Sequence, residues 1–437
     1  MKATIENARA AQLLWAKDPI ARSTALSKLA KSLTSHRDEL INLMVEEVKK
    51  PITEARGEFG RAVSIIEYYS QAVLDPDGAS VPTADPNLIL AVRRPHGLAT
   101  LITPWNFPVA IPLWKAAPAL ATGNVVLLKP SEFATQTATL LARIFSENLP
   151  KDVFQVLPGD GETAKSLIGS ADVVSFTGSV RVGKLVVAQA AARGIPVQAE
   201  MGGHNPALVF PDADLDLFIS QFPIAAFSYS GQKCTATRRV IVIGDMKRRD
   251  EVAERLVAAT NSLSIGPAND EKTFIAPLIN QLALRNYQSA VERANQVGKV
   301  LTGGKVLDAS INLVAPTITA DVPVTDQLMC EEVFGPIAHI AQVPDVSSAI
   351  ELANAVPYGL TASIHTQDLA AALQVSRRLV TGMVKVNGPT AGVDFHAPFG
   401  GTKDSSFGGR EQGKAALDFY SRIQTVTVNS GTGKFPC

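Results

Sequence analysis

LATLITPWNFPVAIPLWKAAPALATGNVVLLK, residues 98–129, decides the fold. Residues 98–103 and 124–129 are apolar runs of strand length, and the stretch between them is long enough for a helix. Two such runs around a helix-length crossover predict a parallel βαβ unit. Moving outward, residues 153–157, 173–177 and 206–210 repeat the pattern, and a second series follows at 239–243, 333–342, 361–365 and 383–387. The alternation predicts two α/β layers with mostly parallel sheets, joined near Gly202 and Gly203.

Toward the N-terminus, Leu26, Leu29, Leu33, Leu40, Ile41, Met44 and Val48 recur among charged residues in a segment spanning 6–50, a spacing that predicts amphipathic helices. A Pro, Asp and Gly cluster at 75–87 interrupts them, 88–92 and 423–428 read as two short outlying strands, and the chain after Ser430 reads as a loose tail.

With 437 residues, 46% apolar and 19% charged, two or three domains with a large buried core are expected, and global disorder is excluded. Forty-one basic residues against forty-one acidic ones remove the electrostatic footprint of a protein devoted to nucleic acid or anionic lipid. Cys234, Cys330 and Cys437 form an odd, scattered set that fits neither a disulfide framework nor a close-spaced metal site, so no metal and a reducing, cytoplasmic setting are expected. Charges interrupt the N-terminal segment where a signal peptide needs apolar residues, and no run reaches membrane-spanning length.

The chemistry lies in short motifs. SGQKCT, 230–235, sets Cys234 among small residues beside Lys233, a setting that favours a reachable thiolate; alone, such a cysteine is equally a buried small apolar side chain. In QAEMGGHNP, 198–206, Glu200 ends a strand just before a glycine pair that permits close backbone approach, though a strand-end Glu is also an ordinary surface charge. TPWNFP, 103–108, fixes Asn106 between aromatic rings and prolines, either as an oxyanion donor or as part of a turn. FTGSVRVGK, 176–184, approaches a phosphate-binding loop, yet Leu185 occupies the place of the magnesium-binding hydroxyl; what survives is a glycine turn into a helix N-terminus suited to a pyrophosphate. LLKPSE, 127–132, carries Lys129 and Glu132 at a strand end, where both can bond ribose hydroxyls. EEVFGP, 331–336, and PFGG, 398–401, are aromatic loops that either close over a ligand or pack.

In this order, TPWNFP, LLKPSE, FTGS, EMGGHNP, SGQKCT, EEVFGP and PFGGTK resemble the NAD(P)-dependent aldehyde dehydrogenase superfamily. The resemblance implies an α/β fold with a Rossmann-like cofactor domain (1–76 and 96–202), an α/β catalytic domain (203–403), a return helix (404–420) and a small β oligomerisation extension (77–95 and 421–433). It implies Cys234 as nucleophile, Glu200 as general base, Asn106 as oxyanion donor, and Lys115 with Glu411 as a proton relay. For an NAD cofactor, with NADP as the alternative, it implies Thr103, Pro104, Trp105, Lys129, Glu132, Gly178, Ser179, Gly202, Glu332 and Phe334. Phe107, Trp114 and Phe399 become walls of an aldehyde tunnel, and the assembly a homodimer or dimer of dimers. Relatives carry a few dozen residues before the first helix, a departure that bears on tetramer contacts.

The implied reaction oxidises an aldehyde to an acid through a Cys234 thioester that Glu200-activated water hydrolyses. Residues 403–428 and GQKCTATRR around the nucleophile are similar to bacterial 2-oxoglutarate semialdehyde (2,5-dioxopentanoate) dehydrogenases. That similarity implies a small oxygenated or acidic aldehyde, with Lys233, Arg238, Lys403 and His396 as candidate cations for its carboxylate. Broad aliphatic or aromatic specificity, transfer to CoA in place of water, and an inactive homologue are the alternatives; Glu200 speaks against the CoA route, and the intact Cys234, Glu200 and Asn106 against inactivity.

Overall fold

The computed structural model describes residues 1–75, 77–83 and 87–429. Four helices open the chain: Lys2–Trp15, Pro19–Ser35, Arg37–Val48 and Ile52–Ala72. The second starts where Asp18 accepts from the Ala21 N–H and Pro19 takes the first helical position. On the fourth, Ala55, Phe59, Ala62, Ile65, Ile66 and Tyr69 fall at helical spacing and are buried, so one stripe faces the core. Alongside this stripe, Glu54, Glu58 and Arg61 form a polar register that becomes important below, with Glu58 itself buried.

Two sheets organise the rest. The first runs, edge to edge, Ser406–Phe407, Val197–Glu200, Val173–Thr177, Leu98–Ile102, Val125–Lys129 and Phe154–Val156; every pairing is parallel except the first. Leu98–Ile102 is buried along its whole length, as a central parallel strand covered by helices on both faces must be. The second sheet runs Lys299–Thr302, Thr317–Ala320, Ile337–Val343, Thr237–Ile243, Asn205–Val209, Thr361–His365 and Met383–Val386, again parallel but for its first pairing. The chain leaves the first sheet at Glu200 and enters the second at Asn205, so the glycine pair lies at the crossing between them.

The expected strand at 333–342 begins only at Ile337. Phe334 holds φ +52, a left-handed backbone incompatible with a strand, and Gly335 and Pro336 follow it into the turn. In the second sheet two strands escaped the reading, Lys299–Thr302 and Thr317–Ala320, since each is only four residues long; in the first, Ser406–Phe407 is a strand inside the span expected to be a return helix, whose helical part is only Gly413–Phe419. A third small sheet, Gly78–Val81, Leu88–Pro95 and Ser421–Val428, is antiparallel throughout. Its first strand lies inside the segment read as a breaker. Residues 430–433 of the expected extension, the tail after Ser430 and Cys437 lie outside the described residues.

The chain returns to the first sheet after Lys403. Ser406 pairs with Glu200 and Phe407 with Ala199, and a short helix, Gly413–Phe419, follows.

Candidate active site

Cys234 sits in the loop between the 3-10 turn Ser228–Gly231 and the strand Thr237–Ile243. Tyr229, Ser230 and Gly231 all take positive φ, +52, +54 and +67. Two non-glycine residues in succession there store strain of about 1–3 kcal/mol each, which the surroundings must offset. They do so by many short anchors. Tyr229 donates to the Val48 carbonyl at 2.5 Å, and buried Arg238 donates to the carbonyls of Gly231 and Gly335, tying this loop to the 331–336 loop.

On the other side of the loop, Asn205 Nδ2 donates to the carbonyls of Cys234 and Ala236, both at 2.8 Å, while its Oδ1 accepts from the Thr361 N–H at 3.2 Å. A Cβ on Gly203 would stand 2.5 Å from the Cys234 carbonyl oxygen, so the backbone approaches the Cys234 loop here as only glycine allows. Asn106 Nδ2 donates to the Gln232 carbonyl at 3.0 Å, leaving its second hydrogen uncommitted, and its Oδ1 is buried without a partner. Asn106 therefore lies against the nucleophile loop.

The loop bearing Asn106 is held by residues that sequence reasoning missed. Buried Lys50 pairs with buried Glu58 and donates to the Asn106 carbonyl at 2.6 Å. Glu58 Oε1 accepts from the N–H groups of Val109 and Ala110, both at 2.9 Å, capping the helix Ala110–Ala121. Lys50 Nζ also lies 3.8 Å from the Phe107 ring centroid. Neither Lys50 nor Glu58 belongs to a recognisable motif; an amphipathic helix explains both equally well.

Burial, together with the carboxylates of Glu332, Glu200 and Glu411, pushes the Cys234 thiol up from its ordinary value. Lys233 does not counter this as expected, because its ammonium is paired with Glu54 at 2.5 Å and donates to Ser228 at 2.7 Å. Glu200 is buried at its strand end; its Oε2 accepts from Ser406 Oγ at 2.6 Å and its Oε1 has no partner. Burial and the nearby Glu411 raise its carboxyl well above the carboxylate range, and the Ser406 hydroxyl only partly offsets them. Behind it, Lys115 and Glu411 form a buried ion pair, with Lys115 also donating to Ser175 at 2.8 Å.

One cavity of about 420 Å³ is lined by Cys234 together with Phe107, Trp114 and Phe399. The Trp114 and Phe399 rings lie 5.7 Å apart. Of the four cations expected near a substrate carboxylate, only Lys233 lines this cavity, and Glu54 already neutralises it. Arg238 is spent on the two loop carbonyls, Lys403 donates to the carbonyls of Asn354 and Val356 at 2.6 and 3.0 Å, and His396 is exposed elsewhere.

A model of the aldehyde dehydrogenase family matches residues 1–426. The chain belongs to the aldehyde dehydrogenase family. It is 38% identical over 420 residues to an alpha-ketoglutaric semialdehyde dehydrogenase of Bacillus subtilis, covering 93% of this chain and 85% of that protein. It is also 38% identical over 436 residues to an alpha-ketoglutarate semialdehyde dehydrogenase of Haloferax volcanii, covering 97% and 90%. Among solved structures, an NAD-dependent aldehyde dehydrogenase from Sinorhizobium meliloti superposes with a TM-score of 0.94 at 32% identity, over 99% of this chain and 87% of that one. The chain is thus an α/β aldehyde dehydrogenase that uses NAD(P), and among the described residues no helix is long and apolar enough to cross a membrane.

The aldehyde dehydrogenase frame fits the cofactor to one crevice. In the first sheet the chain order reverses between Leu98–Ile102 and Val173–Thr177, and ligands of open α/β sheets bind outside the carboxyl ends of strands at such a switch point. Thr103, Pro104 and Trp105 follow one of these strands; Gly178 and Ser179 follow the other, with Ser179 capping the helix Val180–Ala192. Lys129 ends the adjacent strand and Glu132 stands exposed three residues on. Thr103 Oγ1 and Glu332 Oε1 are buried with no partner, the signature of groups awaiting a polar ligand. Gly202 leaves the Glu332 carboxylate room that a Cβ would fill. Burial raises the Glu332 carboxyl to about 7, against the pull of Arg238 and the Gly203 N–H. Phe334 packs edge-on to Trp105, ring centroids 5.8 Å apart.

Proposed function

We propose that this aldehyde dehydrogenase oxidises 2-oxoglutarate semialdehyde, or a closely similar small acidic aldehyde, to the free acid. One observation carries the reading: Cys234 lines an aromatic-walled cavity that also holds Arg61, a cation with no ion pair among the described residues, while buried carboxylates surround the thiol from behind. The two relatives at 38% identity, both named for that semialdehyde, support the choice of substrate.

Cys234 gives up its proton to the Glu200 carboxylate, whose charge it feels, and attacks the aldehyde carbon, forming a C–S bond and an oxyanion. The uncommitted hydrogen of Asn106 Nδ2 and the Cys234 N–H hold that oxygen. As the carbonyl re-forms to give a thioester, the C–H bond breaks and its hydride leaves; Lys129, Glu132, Ser179 and Glu332 would hold NAD(P) in the crevice, and that group would supply the hydride acceptor. Glu200 then takes a proton from water as its oxygen attacks the thioester carbon, and the C–S bond breaks to return the thiolate. Glu411 and Lys115 carry the proton onward from Glu200. Phe107, Trp114 and Phe399 keep bulk water from the reacting carbon.

In this reading the chain works in the cytoplasm as a homodimer or a dimer of dimers. The free thiols Cys234 and Cys330 support a reducing compartment. The outlying three-stranded sheet supports self-association, since it exposes Val81, Leu88, Ile423 and Val428.

A panel of aldehydes followed by NADH absorbance, with product analysis, tests the proposal. Acidic semialdehydes are expected to exceed neutral aldehydes by at least about tenfold in kcat/KM, a 1.4 kcal/mol preference, and to yield free acid. Equal or better kcat/KM for plain aliphatic or aromatic aldehydes overturns the substrate assignment; an acyl-CoA product overturns the hydrolytic step.

A further inference from the structure

The helix Ile52–Ala72 lays Thr53, Glu54, Gly57, Glu58 and Arg61 along the cavity that contains Cys234, a one-sided helical spacing. The charges on this face are not equivalent. Glu54 is matched by Lys233 and Glu58 by Lys50, so both acids are neutralised. Arg61 makes no ion pair among the described residues; the charges of Asp394 and Glu58 are felt from beyond pairing distance. One arm of its guanidinium donates to the Val393 carbonyl, which orients the fork and leaves other N–H donors free.

Two further lining residues carry polar groups without partners. Gln412 is 1% exposed, and neither its Nε2 nor its Oε1 makes a hydrogen bond. Trp114 is 8% exposed, and its Nε1–H is equally unpartnered. Buried amides and indole N–H groups are ordinarily bonded, so two exceptions in one cavity with an unpaired guanidinium describe a receptor. Its donors match a carboxylate with a neighbouring carbonyl oxygen, and 420 Å³ accommodates a five-carbon chain reaching Cys234. Gly57 keeps the approach clear: a Cβ built there meets nothing within 4 Å.

We infer that Arg61, assisted by the Gln412 amide and the Trp114 indole N–H, binds the carboxylate end of the substrate and sets the preference for acidic aldehydes. The inference rests on the acidic-aldehyde reading above. Arg61 acts at the end of the chain remote from the reacting carbon, so its removal changes binding of one substrate class and spares the chemistry of the other.

Steady-state kinetics of the full-length enzyme with NAD test it, using 2-oxoglutarate semialdehyde and pentanal, an uncharged aldehyde of equal chain length. Arg61→Gln is expected to lose about 100-fold in kcat/KM for the acidic aldehyde, mainly through KM, with pentanal changed by less than about threefold. Arg61→Lys, which keeps the charge and loses the fork, is expected to fall between. A wild-type enzyme that does not prefer the acidic aldehyde overturns the substrate reading, and this inference with it. A wild type with the preference and an Arg61→Gln enzyme that retains it overturn the inference alone. Equal losses on both aldehydes in Arg61→Gln and Arg61→Lys likewise overturn it, because they show a structural role.

Discussion

The side-chain amide of Asn205 clasps the main-chain carbonyl of Cys234 at 2.8 Å, from a strand of the neighbouring segment twenty-nine positions away in sequence. The same amide reaches Ala236 and is itself fixed by the Thr361 N–H of the adjoining strand, so the Cys234 loop is pinned to the second sheet at two points.

Replacing Asn205 with Ala leaves two carbonyls and one N–H without these partners, at about 1–3 kcal/mol for each group that stays buried. A clear fall in denaturation midpoint is expected, with kcat reduced because the Cys234 carbonyl is no longer held. Wild-type midpoint and wild-type kcat together would rule out this positioning role.

The raised carboxyl of Glu200 gives the activity a defined pH response. The ionised form is the base, and a pKa above the ordinary carboxylate range keeps it protonated to higher pH. Hydrolytic turnover should therefore be lost on acidification at a higher pH than an ordinary carboxylate would set. Glu200→Gln should produce a burst of NADH followed by very slow turnover. A Glu200→Gln enzyme that shows no burst and turns over at the wild-type rate contradicts the assignment.

Glu332, with its carboxyl near 7, should tie cofactor affinity to pH. Only its ionised form accepts from two ribose hydroxyls, and cofactor binding favours that form. NAD affinity measured by fluorescence quenching is expected to weaken by about tenfold from pH 8 to pH 6 in the wild type. Glu332→Gln should bind more weakly and show little pH dependence. The same slope in both enzymes would remove Glu332 from the cofactor site.

In the proposed cofactor placement, exposed Glu132, three residues beyond Lys129, would set a carboxylate beside a 2′-phosphate. A higher kcat/KM with NAD than with NADP is expected, and Glu132→Gln should shift the ratio toward NADP by about tenfold through relief of like-charge repulsion. A wild-type preference for NADP contradicts the placement.

Much of the architecture was readable because its causes are local. Leu98–Ile102 and Val125–Lys129 are continuous apolar runs, and a buried parallel strand has that composition. Ile337–Val343 was misjudged at its start because Val333 and Phe334 suit a strand chemically, whereas the left-handed turn at Phe334 is imposed by the loop's packing against Trp105. The short strands at Lys299–Thr302 and Thr317–Ala320 are stabilised by their neighbours in the sheet, a cause that no four-residue window contains.

The chemical groups divide in the same way. Cys234, Glu200 and Asn106 were legible from ordered motifs, since each needs particular neighbours to turn the backbone. Lys50, Glu58, Asn205 and Arg61 carry no such local mark. Their importance comes from which charges are already matched and which polar atoms are left over. Pairing and solvent exclusion are relations between distant parts of the chain, so only the folded arrangement decided that Lys233 is neutralised and that Arg61 makes no ion pair among the described residues.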